Sequence, residues 1–216
     1  MKHGIVVVVA GGHPFWSPVN GLPVGAVVIA ADGGVDRARA LGLHVDLAIG
    51  DFDSVTAEGL ASAKATGARV ERHPAAKDAT DLELALDAAI ALAPARILVV
   101  GSDGGRLDHL LGSLLLLSGE RYAAAEVDAV LGATSIAVVR GMRRLAGTPG
   151  DLVSLLPLHG DAEGVTTEGL DYPLRNETLP AGTTRGVSNV FTGSRASVAV
   201  ERGCVIAVQP AAEGRL

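Results

Sequence analysis

Short apolar runs alternate with stretches of helical character along the chain as far as residue 132. The apolar runs are rich in Val, Ile and Ala and most of them end at a glycine or an aspartate, which is typical of buried strands in a parallel sheet. Helices are predicted between the strands, because Thr56 is placed to cap one helix and Thr80 and Glu83 have the spacing of a capping box at the next. The pattern predicts strands at residues 5–10, 26–30, 47–49, 69–72 and 96–100.

The pattern changes after residue 132. Short strands are predicted there, separated by Gly, Pro and Thr and with no helical stretch between them, at residues 135–139, 152–156, 196–200 and 205–208. Such a pattern is typical of a small antiparallel β-sandwich. The predicted fold is therefore α/β, with a mostly parallel sheet flanked by helices in domain 1–132 and a β-sandwich in domain 133–216.

Charge and composition exclude several classes of function. The chain has 216 residues and a net charge of −6, and its only lysines are Lys2, Lys64 and Lys77, so no basic tract is available for nucleic acid or anionic lipid. Cys204 is the single cysteine, which excludes an internal disulfide and favours a reducing, cytoplasmic location. The longest apolar runs fall far short of the roughly 20 residues that span a bilayer.

Two aspartates directly follow the predicted strand at residues 47–49. Alternate side chains of an extended segment point the same way, so Asp51 and Asp53 can face one cation. Two carboxylates about 4 Å apart repel by about 4 kcal/mol at an effective dielectric constant of 20, so they need a cation, a donor or open water. Asp-x-Asp after a strand is also ordinary turn and capping chemistry, and both interpretations stay open at this point.

Aspartates follow several of the predicted strands, and the carboxyl ends of parallel strands meet at one edge of a sheet. This group suits Mg²⁺, which prefers carboxylate oxygens and shares its other positions with phosphates and water. Asp81 has an alternative role, because an acidic residue in the first turn of a helix complements the helix dipole. The group comprises Asp32, Asp51, Asp53, Asp78, Asp81, Asp103 and Asp108.

The segment after the strand at residues 96–100 has the character of a phosphate site. Glycines before a helix expose backbone N–H groups to an anion, and the guanidinium of Arg106 fits phosphate oxygens. Asp108 and His109 have the alternative role of helix caps. The chain contains no Gly-x-x-x-x-Gly-Lys-Ser/Thr sequence, so it is not a P-loop kinase.

The most polar stretch of the second half is residues 182–191. Its hydroxyls, its amide and the ring of Phe191 can line a pocket for a flat polar ring. A loop between strands often has the same composition, so this alternative also stays open.

Several motifs, taken in order, resemble the thiamine pyrophosphokinase (thiamine diphosphokinase) family, and the similarity covers nearly the whole chain. Residues 169–174 also fit the pattern of the family's bacterial branch. The matching motifs are Ala31-Asp32-Gly33-Gly34, Gly50-Asp51-Phe52-Asp53-Ser54, Lys77-Asp78-Ala79-Thr80-Asp81, Gly104-Gly105-Arg106-Leu107-Asp108-His109 and Gly186-Val187-Ser188-Asn189.

This resemblance implies transfer of the pyrophosphoryl group of ATP to the hydroxyethyl oxygen of thiamine, which gives thiamine diphosphate and AMP. It also implies a homodimer with its active site at the subunit interface. The metal ligands carried over from the family, which would hold Mg²⁺ and the triphosphate, are Asp51, Asp53, Asp78 and Asp81. Arg106 and Asp108 would complete the nucleotide side. The substrate-binding positions carried over are Asp32, Gly33, Ser54, Thr80, Gly105, His109, Ser188, Asn189 and Phe191, with Phe191 at a position that often stacks on thiamine.

Two other functions remain open from the sequence. The same chemistry can act on another alcohol, such as a hydroxymethylpterin, because the acceptor pocket is defined by fewer motifs than the nucleotide side. The protein can also be a catalytically silent nucleotide-binding or structural dimer, although its complete set of aspartates argues against that. The residue that accepts the proton of the hydroxyl group is not assigned among the aspartates.

Overall fold

A computed structural model describes residues 3–12 and 22–211. The chain divides into two compact units, the first made of Met1–Leu116 with Ala124–Gly132 and the second of Leu117–Ala123 with Ala133–Leu216. The segment Leu117–Ala123 thus lies in the second unit, whereas the sequence placed it in the first domain. Among the helices of the described ranges, none has the length and apolar character needed to cross a membrane.

The first unit is built on a parallel sheet. Its spatial order is β6-β5-β1-β2-β3-β4, and each neighbouring pair is parallel. The predicted parallel sheet is confirmed, and β6 is a strand that the sequence pattern did not predict. The strands are β1 (His3–Ala10), β2 (Val27–Ala31), β3 (Leu47–Gly50), β4 (Arg69–Arg72), β5 (Pro94–Gly101) and β6 (Glu126–Leu131).

Each of the strands β2 to β5 is followed by a helix. The two predicted caps are present, since the Thr56 hydroxyl accepts a hydrogen bond from the Gly59 N–H at 3.0 Å and the Thr80 hydroxyl accepts one from the Glu83 N–H at 3.2 Å. The helices are α1 (Gly34–Ala40), α2 (Ala57–Ala65), α3 (Asp81–Ala91) and α4 (Leu107–Leu117).

The core of the first unit lies between the sheet and its helices. Val6 to Val9 of β1 are each at most 1% exposed, as expected for a strand that is covered on both faces. The start of α1 contacts the backbone of β1, because a Cβ on Gly34 would lie only 2.0 Å from the Val9 carbonyl oxygen. This close contact brings the β2–α1 turn to the carboxyl end of β1.

The second unit is an antiparallel β structure, as predicted. β12 pairs with β7, β8 and β9, while β8 also pairs with β11 and β9 with β10. A short 3₁₀ helix, Glu120–Tyr122, also belongs to this unit. The strands are β7 (Thr134–Ala146), β8 (Leu152–Pro157), β9 (Ala162–Glu168), β10 (Glu177–Leu179), β11 (Asn189–Val190) and β12 (Arg195–Gln209).

The long strand β12 joins the parts of this unit. Its first half pairs with β9 and its second half pairs with β8, and its pairing with β7 changes register between Val200 and Val205. The sequence predicted two separate strands at residues 196–200 and 205–208, which was wrong because the chain continues through the irregular stretch. The enclosed core includes Val139, Val153, Leu155, Val165, Leu179, Phe191, Val198 and Val205.

Candidate active site

Gly50 makes room for two carboxylates at the carboxyl edge of the parallel sheet. It ends β3 with φ of +146°, a conformation that favours glycine. A Cβ on Gly50 would lie 3.2 Å from the Cβ of Asp32 and 3.0 Å from Oδ1 of Asp81. Asp32 follows the neighbouring strand β2, and its N–H donates to the Ile49 carbonyl at 2.9 Å. The glycine therefore allows side chains from two other segments to meet over the end of β3.

Three carboxylates converge at this point. Asp32, Asp51 and Asp53 each offer an oxygen, and these oxygens lie within 4.8 Å of one another. The loop is held by its own hydrogen bonds, since the Asp53 N–H donates to Asp51 Oδ1 at 3.2 Å and the Ser54 hydroxyl donates to Asp53 Oδ1 at 2.7 Å. A donor set made only of carboxylate oxygens fits a hard cation such as Mg²⁺.

This group differs in part from the ligands expected from the sequence. Asp32, which was assigned to substrate binding, lies within it. Within the described part of the chain, Asp78 and Asp81 lie outside it, and Asp78 is exposed. Asp81 lies beside the group, because it opens α3 and points at the space above Gly50. Thr80 uses its hydroxyl to cap α3, which accounts for its place in the motif without a contact to substrate.

A lysine that sequence analysis did not select lies among these aspartates. Lys77 Nζ is 3.2 Å from Asp51 Oδ2 and forms an ion pair with Asp81 Oδ1 at 3.1 Å. The buried Oδ1 of Asp81 makes no aligned hydrogen bond within the described structure, so this ion pair is its polar contact. Lys77 lies in the loop before α3, so its contacts with Asp51 and Asp81 could not be read from spacing along the sequence.

The surroundings shift the pKa values of the two aspartates in opposite directions. The Asp53 N–H, and then Lys77, hold the pKa of Asp51 below its usual value. Partial burial raises the pKa of Asp81, and the charges of Asp51 and Asp32 add to this effect while Lys77 opposes it. Asp51 is therefore kept ionised, whereas Asp81 binds a proton more readily than an exposed aspartate does.

Arg72 supports the aspartate loop from the side of β4. Its guanidinium donates to the carbonyl oxygen of Asp51 and lies 4.9 Å from the centre of the Phe52 ring. Phe52 is buried and has a positive φ of 62°, an uncommon conformation for an aromatic residue. The buried ring and the arginine together fix the backbone that carries Asp51 and Asp53.

Glycines bring the ends of β1 and β2 close together. A Cβ on Gly11 would lie 3.3 Å from the Cα of Gly33, and a Cβ on Gly33 would lie 3.3 Å from the Ser54 carbonyl oxygen. A Cβ on Gly12 would lie 2.9 Å from the Cβ of Ser102, which follows β5. Gly33 is therefore needed for close packing, and the turn after β1 lies between the aspartate loop and the segment after β5.

Arg106 and Asp108 form a bidentate pair in that segment. Arg106 Nε lies 3.1 Å from Asp108 Oδ1 and Nη2 lies 2.6 Å from Oδ2, with both side chains more than half exposed. Each side chain stabilises the charge of the other, so the pKa of Arg106 is raised and that of Asp108 is lowered. Gly105 has φ of +98°, and His109 lies exposed in the first turn of α4.

In the second unit, Asn189 acts as a clamp on the backbone. Its side chain accepts hydrogen bonds from the N–H groups of Tyr172 and Val190 and donates to the Tyr172 carbonyl. Ser188 is exposed with φ of 59°, and its N–H donates to the Ser154 hydroxyl at 3.1 Å. The clamp presents Tyr172, which is 69% exposed, beside the predicted binding motif.

Phe191 lies in the core of the second unit. It is 1% exposed, and a Cβ on Gly147 would lie only 2.9 Å from its ring. A ring enclosed in this way has no free face for a ligand, so the structure contradicts the stacking role predicted for Phe191. The sequence pattern could not separate this buried aromatic from the exposed Tyr172, because both stand in polar, glycine-rich stretches.

Comparison with known proteins supplies two family models that match this chain. The model described as "Thiamin pyrophosphokinase, catalytic domain" matches residues 24–128, and the one described as "Thiamin pyrophosphokinase, vitamin B1 binding domain" matches residues 139–205. The chain belongs to the thiamine pyrophosphokinase family. The resemblance seen in the sequence motifs is thereby confirmed.

Individual members of the thiamine pyrophosphokinase family are similar over most of their length. The thiamine pyrophosphokinase of Bacillus subtilis (strain 168) is 29% identical over 191 residues, which cover 82% of this chain and 85% of that protein. The crystal structure of thiamine pyrophosphokinase from Bacillus subtilis has a TM-score of 0.84 at 28% identity and covers 96% of this chain and 99% of its own. A family member from Enterococcus faecalis has a TM-score of 0.81 at 27% identity, with 97% and 100% covered. The α/β and antiparallel β parts are thus both those of the family.

Proposed function

We propose that the protein transfers the pyrophosphoryl group of ATP to the hydroxyl group of thiamine, giving thiamine diphosphate and AMP. The observation that carries this proposal is the convergence of Asp32, Asp51 and Asp53 at the carboxyl edge of the sheet. That edge lies within the residues matched by the family's catalytic domain. In the reaction the thiamine oxygen bonds to the β-phosphorus, the bond from that phosphorus to the α,β-bridging oxygen breaks, and AMP leaves.

Asp32, Asp51 and Asp53 would hold the Mg²⁺ that accompanies ATP, since their oxygens converge and their chemistry fits this ion. When bound, Mg²⁺ supplies positive charge that offsets the charge of the triphosphate. The hydrogen bonds from Asp53 N–H and Ser54 within the loop keep the carboxylates oriented before substrate arrives. The aspartates of this group are also the candidate acceptors for the proton that thiamine loses.

Arg106 is proposed to bind the phosphates of ATP. Two of its nitrogens are held by Asp108, which fixes the plane of the guanidinium while further N–H donors face outward for phosphate oxygens. Asp108 is therefore a positioning residue for Arg106. The glycines before α4 add backbone N–H groups near the start of a helix, where anions are favoured.

Tyr172 is proposed to contact the ring of thiamine in place of Phe191. It is exposed, its backbone is held on both sides by Asn189, and it lies within the residues matched by the vitamin B1 binding domain. Ser188 is exposed next to this clamp and offers a hydroxyl to the same ligand. Asn189 then serves mainly to position its neighbours.

The assembly and location belong to this proposal as well. We propose a cytoplasmic homodimer with its active site at the subunit interface, as in the expectation from the family motifs. Light scattering coupled to size exclusion measures the mass in solution, and a mass of one chain, 21.8 kDa, contradicts the dimer. Another alcohol acceptor is less favoured than thiamine because a vitamin B1 binding domain matches the second half of the chain.

The reaction is tested by mass spectrometry of purified protein incubated with ATP, Mg²⁺ and thiamine. AMP and thiamine diphosphate in equal amounts are expected, and an Asp51→Asn variant is expected to form neither at a measurable rate. AMP that accumulates only with a hydroxymethylpterin would move the proposal to that alcohol. Folded protein that forms no product from either acceptor overturns it and favours the silent nucleotide-binding dimer.

A further inference from the structure

A cation from the chain itself is built into the aspartate site. Lys77 Nζ lies 3.2 Å from Asp51 Oδ2, 3.1 Å from Asp81 Oδ1 and 3.1 Å from the carbonyl oxygen of Pro74. Its side chain is only 15% exposed. The ammonium group donates hydrogen bonds to Asp51 and the Pro74 carbonyl and forms an ion pair with Asp81, so it is held from three sides. This lysine is therefore part of the site's architecture and not a surface charge.

The local helix does not explain a lysine at this position. Lys77 lies just before the N-terminus of α3, where the helix dipole disfavours positive charge. Lys77 also lies outside α3, whose N-cap is Thr80, so Lys77 and Asp81 are not an i,i+4 pair on one helix. The contacts that favour Lys77 come instead from carboxylates of two separate segments, Asp51 after β3 and Asp81 at the start of α3.

The positive charge of Lys77 has two opposite effects on the aspartate site: it stabilises the carboxylates, and it disfavours the binding of a metal cation. Asp51 belongs to the converging group and Asp81 faces it across Gly50, so like charges are crowded together. A positive charge in contact with both carboxylates stabilises this arrangement. The same charge repels a divalent cation that enters the site, because the ammonium group and the metal ion would lie near the same carboxylate oxygens.

We propose that Lys77 is a positioning residue that takes the place of the divalent cation's charge when the cation is absent. It keeps Asp51 and Asp81 assembled, and it lowers the affinity of the site for a divalent cation that arrives without nucleotide. The inference rests on the proposed function, since it takes the aspartate group to be the site of the metal used in that reaction. It assigns to Lys77 a role in the ligand-free protein as well.

The experiment measures Mn²⁺ binding in the absence of nucleotide, by calorimetry or electron paramagnetic resonance, for the wild type and Lys77→Met. We expect the variant to bind Mn²⁺ about 3- to 30-fold more tightly, because one opposing charge is removed from a partly buried site. Its metal-free melting temperature is expected to fall, and the rise in melting temperature on adding Mn²⁺ is expected to exceed that of the wild type.

Two further variants provide controls. Lys77→Arg keeps the charge and is expected to bind Mn²⁺ with nearly the wild-type affinity. Lys64→Met makes the same change in net charge at an exposed lysine of α2, and its Mn²⁺ affinity is expected to be unchanged. If Lys77→Met does not fold, Lys77→Gln replaces it, since glutamine also removes the charge but retains a polar end.

The outcomes separate this proposal from the proposed reaction. Unchanged or weaker Mn²⁺ binding by Lys77→Met or Lys77→Gln overturns the role of Lys77, even if the wild type forms thiamine diphosphate. Tighter binding by the variant supports that role, even if the wild type forms no product. If neither the wild type nor the charge-removing variant binds Mn²⁺ at millimolar concentration, the proposal is also overturned, because no cation then competes with Lys77 for the aspartates.

Discussion

Asn189 and the backbone of Tyr172 are joined by two hydrogen bonds, one in each direction. The Tyr172 N–H donates to Asn189 Oδ1 at 3.1 Å, and Asn189 Nδ2 donates to the Tyr172 carbonyl at 2.8 Å. Asn189 is 5% exposed whereas Tyr172 is 69% exposed. A buried amide thus fixes the direction of an exposed aromatic residue, and this explains the asparagine of the motif without a direct contact to ligand.

This clamp predicts a graded effect on stability. Asn189→Ala loses three hydrogen bonds to partly buried backbone groups, so we expect a loss of about 1–3 kcal/mol in the free energy of unfolding. Asn189→Asp keeps the acceptor for the N–H groups of Tyr172 and Val190, but an ionised carboxylate would place a second oxygen against the Tyr172 carbonyl. It is therefore expected to lose less than Asn189→Ala only at low pH, where the protonated carboxyl group can donate. Urea denaturation at neutral and at low pH measures both variants, and equal losses at low pH would contradict the clamp.

Tyr172 and Phe191 are predicted to have separate effects. Tyr172→Ala is expected to raise the KM for thiamine about tenfold, since stacking on an aromatic ring contributes roughly 1–3 kcal/mol, and to leave the KM for ATP unchanged. Tyr172→Phe retains the ring and serves as the control. Steady-state kinetics with each substrate varied in turn decides this, and an equal rise in both KM values would contradict a thiamine contact.

Phe191→Ala is expected to act on folding. Removal of a fully buried phenylalanine costs about 3–5 kcal/mol, so a large fall in the urea midpoint should accompany any loss of activity. Substrate affinity that changes while the urea midpoint stays the same would instead support an exposed, ligand-binding Phe191.

Gly50→Ala is expected to disrupt the aspartate site. The new methyl group would lie 3.0 Å from Asp81 Oδ1 and 3.2 Å from the Cβ of Asp32, and φ of +146° is unfavourable for alanine. We expect kcat/KM to fall at least about a hundredfold, as for other small misplacements of catalytic groups. Gly67→Ala is the matched control, because Gly67 also has a positive φ but a Cβ added there would meet no atom within 4 Å beyond its chain neighbours. Equal losses of activity in the two variants would contradict the steric argument.

Arg106→Lys is expected to raise the KM for ATP about tenfold. The ammonium group of lysine cannot form the bidentate pair with Asp108, and it offers phosphate no planar set of N–H donors. Arg202→Lys changes another exposed arginine, which pairs with Glu163 in the second unit, and it is expected to leave the KM for ATP unchanged. The two variants are compared at saturating thiamine. A KM for ATP that stays at the wild-type value in Arg106→Lys would argue against phosphate binding by Arg106.

The buried thiol of Cys204 is expected to make the stability of the folded protein depend on pH in the alkaline range. Burial raises the pKa of its thiol, with Arg140 opposing and Glu120 adding to the shift. The thiol of the unfolded chain therefore loses its proton at a lower pH than the thiol of the folded protein. The contribution of the neutral, buried thiol to folding stability is complete below the unfolded pKa, and it is lost as pH rises through the folded pKa. As pH rises above about 8.5, the usual pKa of a thiol, the wild type should lose stability relative to Cys204→Ala. A difference in unfolding free energy between the wild type and Cys204→Ala that stays constant with pH would contradict the raised pKa of the thiol.

The sequence by itself determined the fold class and the family. The alternation of β-branched runs with capped helices allows only a layered α/β arrangement, because each apolar strand must be covered on both faces. Thr56 and Thr80 marked two helix starts through short-range hydrogen bonds, which depend on neighbours in the chain alone. The ordered motifs likewise needed no knowledge of which segments meet in space.

Only the tertiary structure decided which of the marked residues come together. Asp32 joins Asp51 and Asp53, and Lys77 reaches Asp51, because β2 and β3 are neighbours in the sheet and α3 begins beside them. Phe191 and Tyr172 differ in exposure for the same reason, since burial depends on packing against residues far along the chain. Local pattern specifies helices, strands and caps, whereas the distances between segments follow from how the whole sheet packs.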